Sequence, residues 1–154
     1  MKINIKKVDC VEECKDCNQM LSELMQYETS FDNTIVPNLK IENHYEKMLN
    51  KDDCAMFLAS CGEQPIGYVA AYKNTPKNTS KCFITIMNLY VKPQFRGEGI
   101  GKSLVREVEV WGKETFSIST FELDCFINNK SAIGFYEKLD FKPIRVKMRK
   151  SNKH

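Results

Sequence analysis

Apolar positions along the chain change period several times, and each change marks an element. Residues 2–8 (KINIKKV) alternate apolar and polar, the pattern of a strand with one buried face. Residues 11–28 place Val11, Cys14, Leu21, Leu24 and Met25 at helical spacing, which predicts a helix. Pro37-Asn38 breaks the chain, and a second helix is expected over 39–50. Residues 54–60 (CAMFLAS) and 66–72 (IGYVAAY) are apolar runs separated by the turn Gly62-Glu63-Gln64-Pro65, so they read as a hairpin. The stretch 73–80 (KNTPKNTS) is a polar loop without core residues.

The C-terminal half continues in the same manner. Residues 82–91 (CFITIMNLYV) are rich in β-branched and aromatic residues and read as a strand that Pro93 ends. Ile100, Leu104, Val108 and Trp111 recur at helical spacing over 99–112. Residues 119–127 (STFELDCFI) are strand-like, and 129–138 form a short helix with Ala132, Phe135, Tyr136 and then Leu139 on one side. Ile144, Val146 and Met148 alternate with Arg145, Lys147 and Arg149, the pattern of a half-buried strand. The predicted order, βααβββαβαβ, describes one mixed α/β domain over residues 1–154.

Composition narrows the class. A chain of 154 residues, 42% hydrophobic and 28% charged, can enclose one core. No stretch approaches the roughly 18 apolar residues of a membrane span. The basic start MKINIKKVDC lacks the apolar segment of a signal peptide, so the expected location is cytoplasmic, with no membrane partner. In a reducing compartment the 7 cysteines are expected as thiols. Cys10, Cys14 and Cys17 match the cluster spacing of radical S-adenosylmethionine enzymes, whose larger barrels 154 residues could hardly build. The same spacing places the three on one helix face, and the core-stripe reading is preferred. No zinc pattern, helix-turn-helix or base-stacking aromatic motif is present, so neither a metal nor a nucleic-acid partner is expected.

The chemistry concentrates in Val91-Lys92-Pro93-Gln94-Phe95-Arg96-Gly97-Glu98-Gly99-Ile100-Gly101-Lys102-Ser103, a glycine-rich turn between a strand and a helix. Glycines let backbone N–H groups approach a ligand, and the following helix offers unpaired N–H groups and a positive dipole end, a setting suited to phosphate. A dinucleotide fingerprint would need a third glycine where Lys102 stands, and a P-loop would need glycine at Arg96. The pattern Gln/Arg-x-x-Gly-x-Gly/Ala is met in full by Arg96-Gly97-Glu98-Gly99-Ile100-Gly101.

That pattern resembles the coenzyme A pyrophosphate loop of the GNAT superfamily of N-acetyltransferases. A second segment, Asn129 to Phe141 (NKSAIGFYEKLDF), is similar to the family's N-x-x-A-x-x-F/L-Y-E-K-x-G-F motif, with Asp140 where glycine is usual. With Leu89-Tyr90-Val91 ahead of the loop, the resemblance covers about residues 54–148, the expected acetyl-CoA-binding core. Residues 1–50 match only in element order, as a variable acceptor-side region.

The resemblance implies a mixed central sheet splayed between its fourth and fifth strands, flanked by about four helices. It implies acetyl-CoA as co-substrate, held by the strand end Leu89-Tyr90-Val91, by Arg96, by the loop from Gly97 through Gly99, Ile100 and Gly101 to Lys102, and by Asn129. Tyr136 would lie near the thioester sulfur as the catalytic acid. The acceptor would be the amine of a small molecule or a peptide. Relatives often pair near the C-terminal half, so a homodimer is one open possibility.

Acetyl transfer makes its own demands. The amine must be neutral, although an alkylamine with pKa about 10 is mostly protonated at pH 7. A free N–H of Leu89 or Val91 could hold the developing oxyanion, and a tyrosine could protonate the leaving thiolate. Relatives often carry an acid just before the position of Leu89, but Ile86-Met87-Asn88 has none. Glu28, Asp32, Glu122 and Asp124 remain as candidate bases, and a base is unnecessary if the amine arrives deprotonated. Residues 9–32 carry seven acids against Lys15 alone, which predicts a cationic acceptor, whereas 142–154 carry six bases and no acid. The alternative function is a noncatalytic acyl-CoA- or nucleotide-binding module with Tyr136 structural.

Overall fold

The computed structural model describes residues 2–153 of the chain. One sheet holds five strands in sequence order: β1 (Ile3–Lys7), β2 (Cys54–Cys61), β3 (Gln64–Asn74), β4 (Phe83–Val91) and β5 (Phe121–Leu123). β1 to β4 run antiparallel, and β5 joins β4 in parallel. A parallel neighbour cannot be reached through a tight turn, so a helix must carry the crossover. That helix is α2 (Ile100–Phe116); α1 (Val11–Glu28) follows β1, and α3 (Lys130–Lys138) follows β5. Among the described residues no helix is long and apolar enough to cross a membrane.

Both sheet faces are buried. α1 sets Cys14, Cys17, Met20 and Leu21 against Met56, Leu58, Tyr68, Ala70 and Tyr90. α2 sets Ile100, Leu104, Val105, Val108 and Trp111 against Phe57, Val69, Ile84 and Ile86 on the other face, where Phe135 and Leu139 also pack. Gly112 permits this close approach: a Cβ there would lie 2.8 Å from Cγ1 of Ile84 and 3.1 Å from the Phe121 ring.

One irregularity in β4 shapes everything downstream. Asn88 lies opposite Ala70 and Ile86 opposite Ala71, which leaves Met87 as an extra residue on β4. Such a bulge reverses the alternation of side chains beyond it. Ile84 and Ile86 therefore face α2, while the even-numbered Tyr90 faces α1, and Leu89 and Val91 take over the α2 side.

Several sequence expectations are corrected. The helix expected over 39–50 is irregular chain with a single 3-10 turn at Glu46–Met48. Asn38, Asn43 and Asn50 adopt positive φ, and Asn18 and Ser22 of α1 capture the backbone N–H groups of Tyr45 and Ile41. These bonds offer the segment an alternative to helix. Among the described residues three α-helices, not about four, therefore flank the sheet. The strand expected at 144–149 has no ladder; the segment is irregular and exposed. β5 ends at Leu123 because its chain leaves β4 there, short of the predicted 127. Cys14 and Cys17 are sealed beneath α1, but Cys10 precedes the helix and is exposed, so the stripe holds two cysteines rather than three. Burial pushes the Cys14 thiol up to about 11 and Cys17 higher still, so both stay protonated at neutral pH.

Candidate active site

The parallel ladder joins Ile84 to Phe121 and Ile86 to Leu123, then stops, while β4 runs on to Val91. The divergence opens a cleft of about 90 Å³. Its walls include Glu28 from the end of α1, Asn88 and Leu89 from β4, Cys125 beyond β5, and Asn129 and Tyr136 at α3.

Backbone direction follows from one bond. Lys92 N donates to the Ile66 carbonyl at 2.8 Å, so Lys92 faces β3. Strand residues alternate, hence Tyr90 also faces β3, opposite Tyr68, while Leu89 and Val91 point their N–H and C=O groups to the open side. The Val91 carbonyl is taken by Arg96, whose Nε donates to it at 2.8 Å. The Arg96 guanidinium also lies 5.6 Å from the Tyr27 ring and 5.5 Å from the Tyr90 ring. Arg96 thus clamps the loop to the end of β4, leaving the Leu89 backbone and the Val91 N–H open.

The glycine loop has the conformation its sequence requires. Pro93–Phe95 form a 3-10 turn; Gly97 and Gly99 follow at φ +83° and +79°, with nothing within 4 Å of a Cβ placed on either. These two glycines answer a backbone need rather than a spatial one. The first bond of α2 runs from Ser103 N to Gly99 O, so the amides of Ile100, Gly101 and Lys102 have no acceptor within the helix. The Ile100 side chain is buried in the core and offers the site only its amide, whereas Lys102 is exposed. Gly101 packs on α3, where its Cβ would lie 3.1 Å from the Phe135 ring. Free amides at a helix N-terminus beside a lysine suit a phosphate group.

Tyr136 is partly buried between the rings of Phe135 and Phe141, with centroids 5.1 and 5.7 Å away. Burial first, then the nearby Cys125 and Glu28, pushes its phenol well above the ordinary value, so it stays protonated at neutral pH. Asn129 caps α3, its Oδ1 accepting from Ala132 N at 3.2 Å, which leaves the amide NH₂ for the cleft. Asp140 takes φ +71°, the left-handed turn that glycine would fill.

The four candidate bases separate. Glu28 lines the cleft, and burial raises its carboxyl above the ordinary value. Asp124 lines it too but is exposed, and Glu122 is outside the lining. Asp32 is committed elsewhere: both of its oxygens accept from the Arg149 guanidinium at 3.0 Å, and this partner with Thr34 holds its carboxyl well below the usual range. Part of the acidic excess is therefore neutralised by the chain's own C-terminal segment.

One network had no signal in the sequence. Tyr45 Oη donates to Asn88 Oδ1 at 2.6 Å and lies 2.8 Å from Tyr68 Oη, with both tyrosines fully buried. The chain fixes the Asn88 side chain at the cleft, where relatives often carry an acid. Only Asn88's place within a strand was readable; 43 residues separate it from Tyr45.

The profile of the acetyltransferase (GNAT) family matches residues 18–141. An uncharacterized N-acetyltransferase of Methanocaldococcus jannaschii is 30% identical over 67% of this chain and 46% of its own length. An N-alpha-acetyltransferase of Sulfurisphaera tokodaii is 26% identical over 64% of this chain and 62% of its own. The chain thus spans about half to three fifths of these relatives. Among solved structures, the BH1408 protein of Bacillus halodurans, determined as a tetramutant, superposes with a TM-score of 0.83 at 16% identity, covering 97% of this chain and 99% of that one. The protein AAC(6')-Iy, in complex with a bisubstrate analogue of coenzyme A, superposes with a TM-score of 0.76 at 18% identity over 99% of each chain.

Proposed function

This chain belongs to the acetyltransferase (GNAT) family, and on that premise we propose that it moves an acetyl group from acetyl-coenzyme A to a primary amine by direct attack. The observation that carries the reading is the splay: the open β4 edge and Tyr136 border one cleft, and the free amides of α2 follow the end of the same strand.

In this reading the pyrophosphate rests on the amides of Gly97, Gly99, Gly101 and Lys102. The pantetheine arm lies along Leu89 and Val91 as an added strand, with the Asn129 amide beside it. Arg96 serves by locking the loop to Val91. The amine attacks the thioester carbonyl, and the Leu89 N–H receives the developing oxyanion. The C–S bond then breaks, and Tyr136 gives its proton to the departing thiolate. Glu28, the half-buried carboxyl in the cleft, accepts the proton that the amine must lose. The acceptor is the amine of a small molecule or a peptide N-terminus, with a cationic body favoured by the acids that Arg149 leaves free.

Release of free thiol from acetyl-coenzyme A across a panel of amines tests the proposal. Saturable, amine-dependent release supports it. Tight coenzyme A binding with no turnover on any amine would favour a noncatalytic binding module.

A further inference from the structure

We propose that Asn88 selects the acceptor: its side-chain NH₂, aimed into the cleft by a buried tyrosine relay, favours amines that carry an oxygen on the neighbouring carbon. The inference rests on the proposed acetyl transfer and adds the group next to the attacking nitrogen, which that reading leaves open.

The aim follows from proton counting. Tyr45 and Tyr68 are fully buried, and burial keeps both phenols protonated, so each has one proton to place. Tyr45 gives its proton to Asn88 Oδ1 at 2.6 Å, and Tyr68, with its Oη 2.8 Å from Tyr45 Oη, gives its own to Tyr45. The reverse order would leave the Tyr68 proton without an acceptor among the described residues, and buried hydroxyls rarely go unpaired. Asn18 steadies the relay from α1, its Oδ1 accepting from Tyr45 N at 3.1 Å. With Oδ1 engaged by the protein, the Asn88 NH₂ has no acceptor among the described residues, and the side chain lines the cleft.

Asn88 stands on the side from which Glu28 reaches the amine. Its partners Tyr45 and Tyr68 belong to the core beneath α1, the helix that ends at Glu28, whereas α3 brings Tyr136 from the opposite face. In a cleft of about 90 Å³, only a few atoms separate a contact with Glu28 from one with Asn88. An N–H donor without an acceptor of its own binds a carbonyl or hydroxyl oxygen and disfavours a second ammonium at that position. A carboxylate there would do the opposite and draw the second ammonium. Peptide N-termini, amino acid amides and amino alcohols therefore fit, and a short diamine does not.

Initial rates with glycinamide and with ethylenediamine, followed as thiol release from acetyl-coenzyme A, test the aim. The readout is the ratio of their kcat/KM values, compared between variants so that intrinsic amine reactivity cancels. Asn88→Asp keeps the shape and the Tyr45 bond but sets an anionic oxygen in place of NH₂. The ratio should move toward ethylenediamine by about 10-fold or more. Tyr45→Phe releases Oδ1 and lets the amide turn, so the ratio should move the same way by about 3-fold. Tyr68→Phe leaves the Tyr45 bond to Asn88 in place and should move it less, an order that loss of packing at two fully buried rings would not produce. Melting temperatures check that each variant folds, and Asn88→Asp decides alone if Tyr45→Phe does not. An Asn88→Asp ratio matching wild type, or a Tyr68→Phe effect equal to that of Tyr45→Phe, would overturn the inference and leave the acetyl transfer standing. Wild-type protein that turns over no amine would overturn both.

Discussion

Glu28 at the end of α1 and Tyr136 on α3 border the same cleft, brought there by helices that pack on opposite faces of the sheet. Each is pushed toward its protonated form by burial. For a carboxyl this yields a stronger base once ionised; for a phenol it preserves a proton to give.

Tyr136→Phe keeps the ring packing on Phe135 and Phe141 and deletes the proton. kcat should fall by about 10- to 1000-fold with little change in coenzyme A binding. Undiminished turnover, with chemistry shown to be rate-limiting, would return Tyr136 to a packing role.

Glu28→Gln should lower kcat/KM by about 10- to 100-fold, at the lower end of the range for proton transfer. Because the carboxyl is raised and its ionised form is the base, wild-type activity should decline as pH falls through that raised value, and the variant's acid limb should flatten. Stability has the opposite sign. A folded-state value above the unfolded one means that ionisation costs stability as pH rises, so Glu28→Gln should be at least as stable as wild type at pH 7. A melting-temperature series against pH checks this.

Coenzyme A should raise the melting temperature of the wild-type chain by mass action. A Cβ at Gly99 would meet no atom within 4 Å, but Gly99→Val forces a β-branched residue to φ +79°, at a cost of about 1–2 kcal/mol, and should displace the amides and abolish the shift. A shift retained in full would remove the loop from coenzyme A binding.

Gly112→Ala tests the packing of α2 on the sheet. Its Cβ would stand 2.8 Å from Ile84, so overpacking should cost about 1–3 kcal/mol, read from the urea midpoint. A midpoint within error of wild type would show that the helix yields without cost.

If the free acids steer the acceptor, a diamine should show a lower KM than an amine with a neutral tail, and its advantage should shrink with salt. Removing Arg149 as Arg149→Ala frees Asp32 and should widen that preference. A salt-independent KM in both proteins would dismiss the steering.

The strands and helices that bury one regular face were legible in the sequence, since periodicity records burial directly. The loop was legible as well, because the positive φ of Gly97 and Gly99 leaves its mark on residue type. Residues 39–50 misled because their apolar spacing says nothing of Asn18 and Ser22, which seize the backbone from another element. Residues 144–149 misled for the reverse reason: their alternation is genuine, but no strand of the sheet pairs with them. Selection of Glu28 among four acids needed the fold, because burial and the Arg149 partner of Asp32 are long-range facts.

The bulge at Met87 governs where this chain can change during evolution. The polar stretch at 75–80 joins β3 to β4 without entering either core, so a change of length there alters only loop closure. Flattening the bulge with Met87 kept, so that Met87 pairs with Ala70, would carry Asn88 and Tyr90 to the side of Ile84 and Ile86. The partners of Tyr45 and Arg96 would then vanish together, and two aliphatic side chains would be turned toward α1. Length drift should therefore collect before Phe83, while substitutions that flatten the bulge between Ile86 and Asn88 should be purged, so that a single extra position is as constrained as any residue in the cleft it opens.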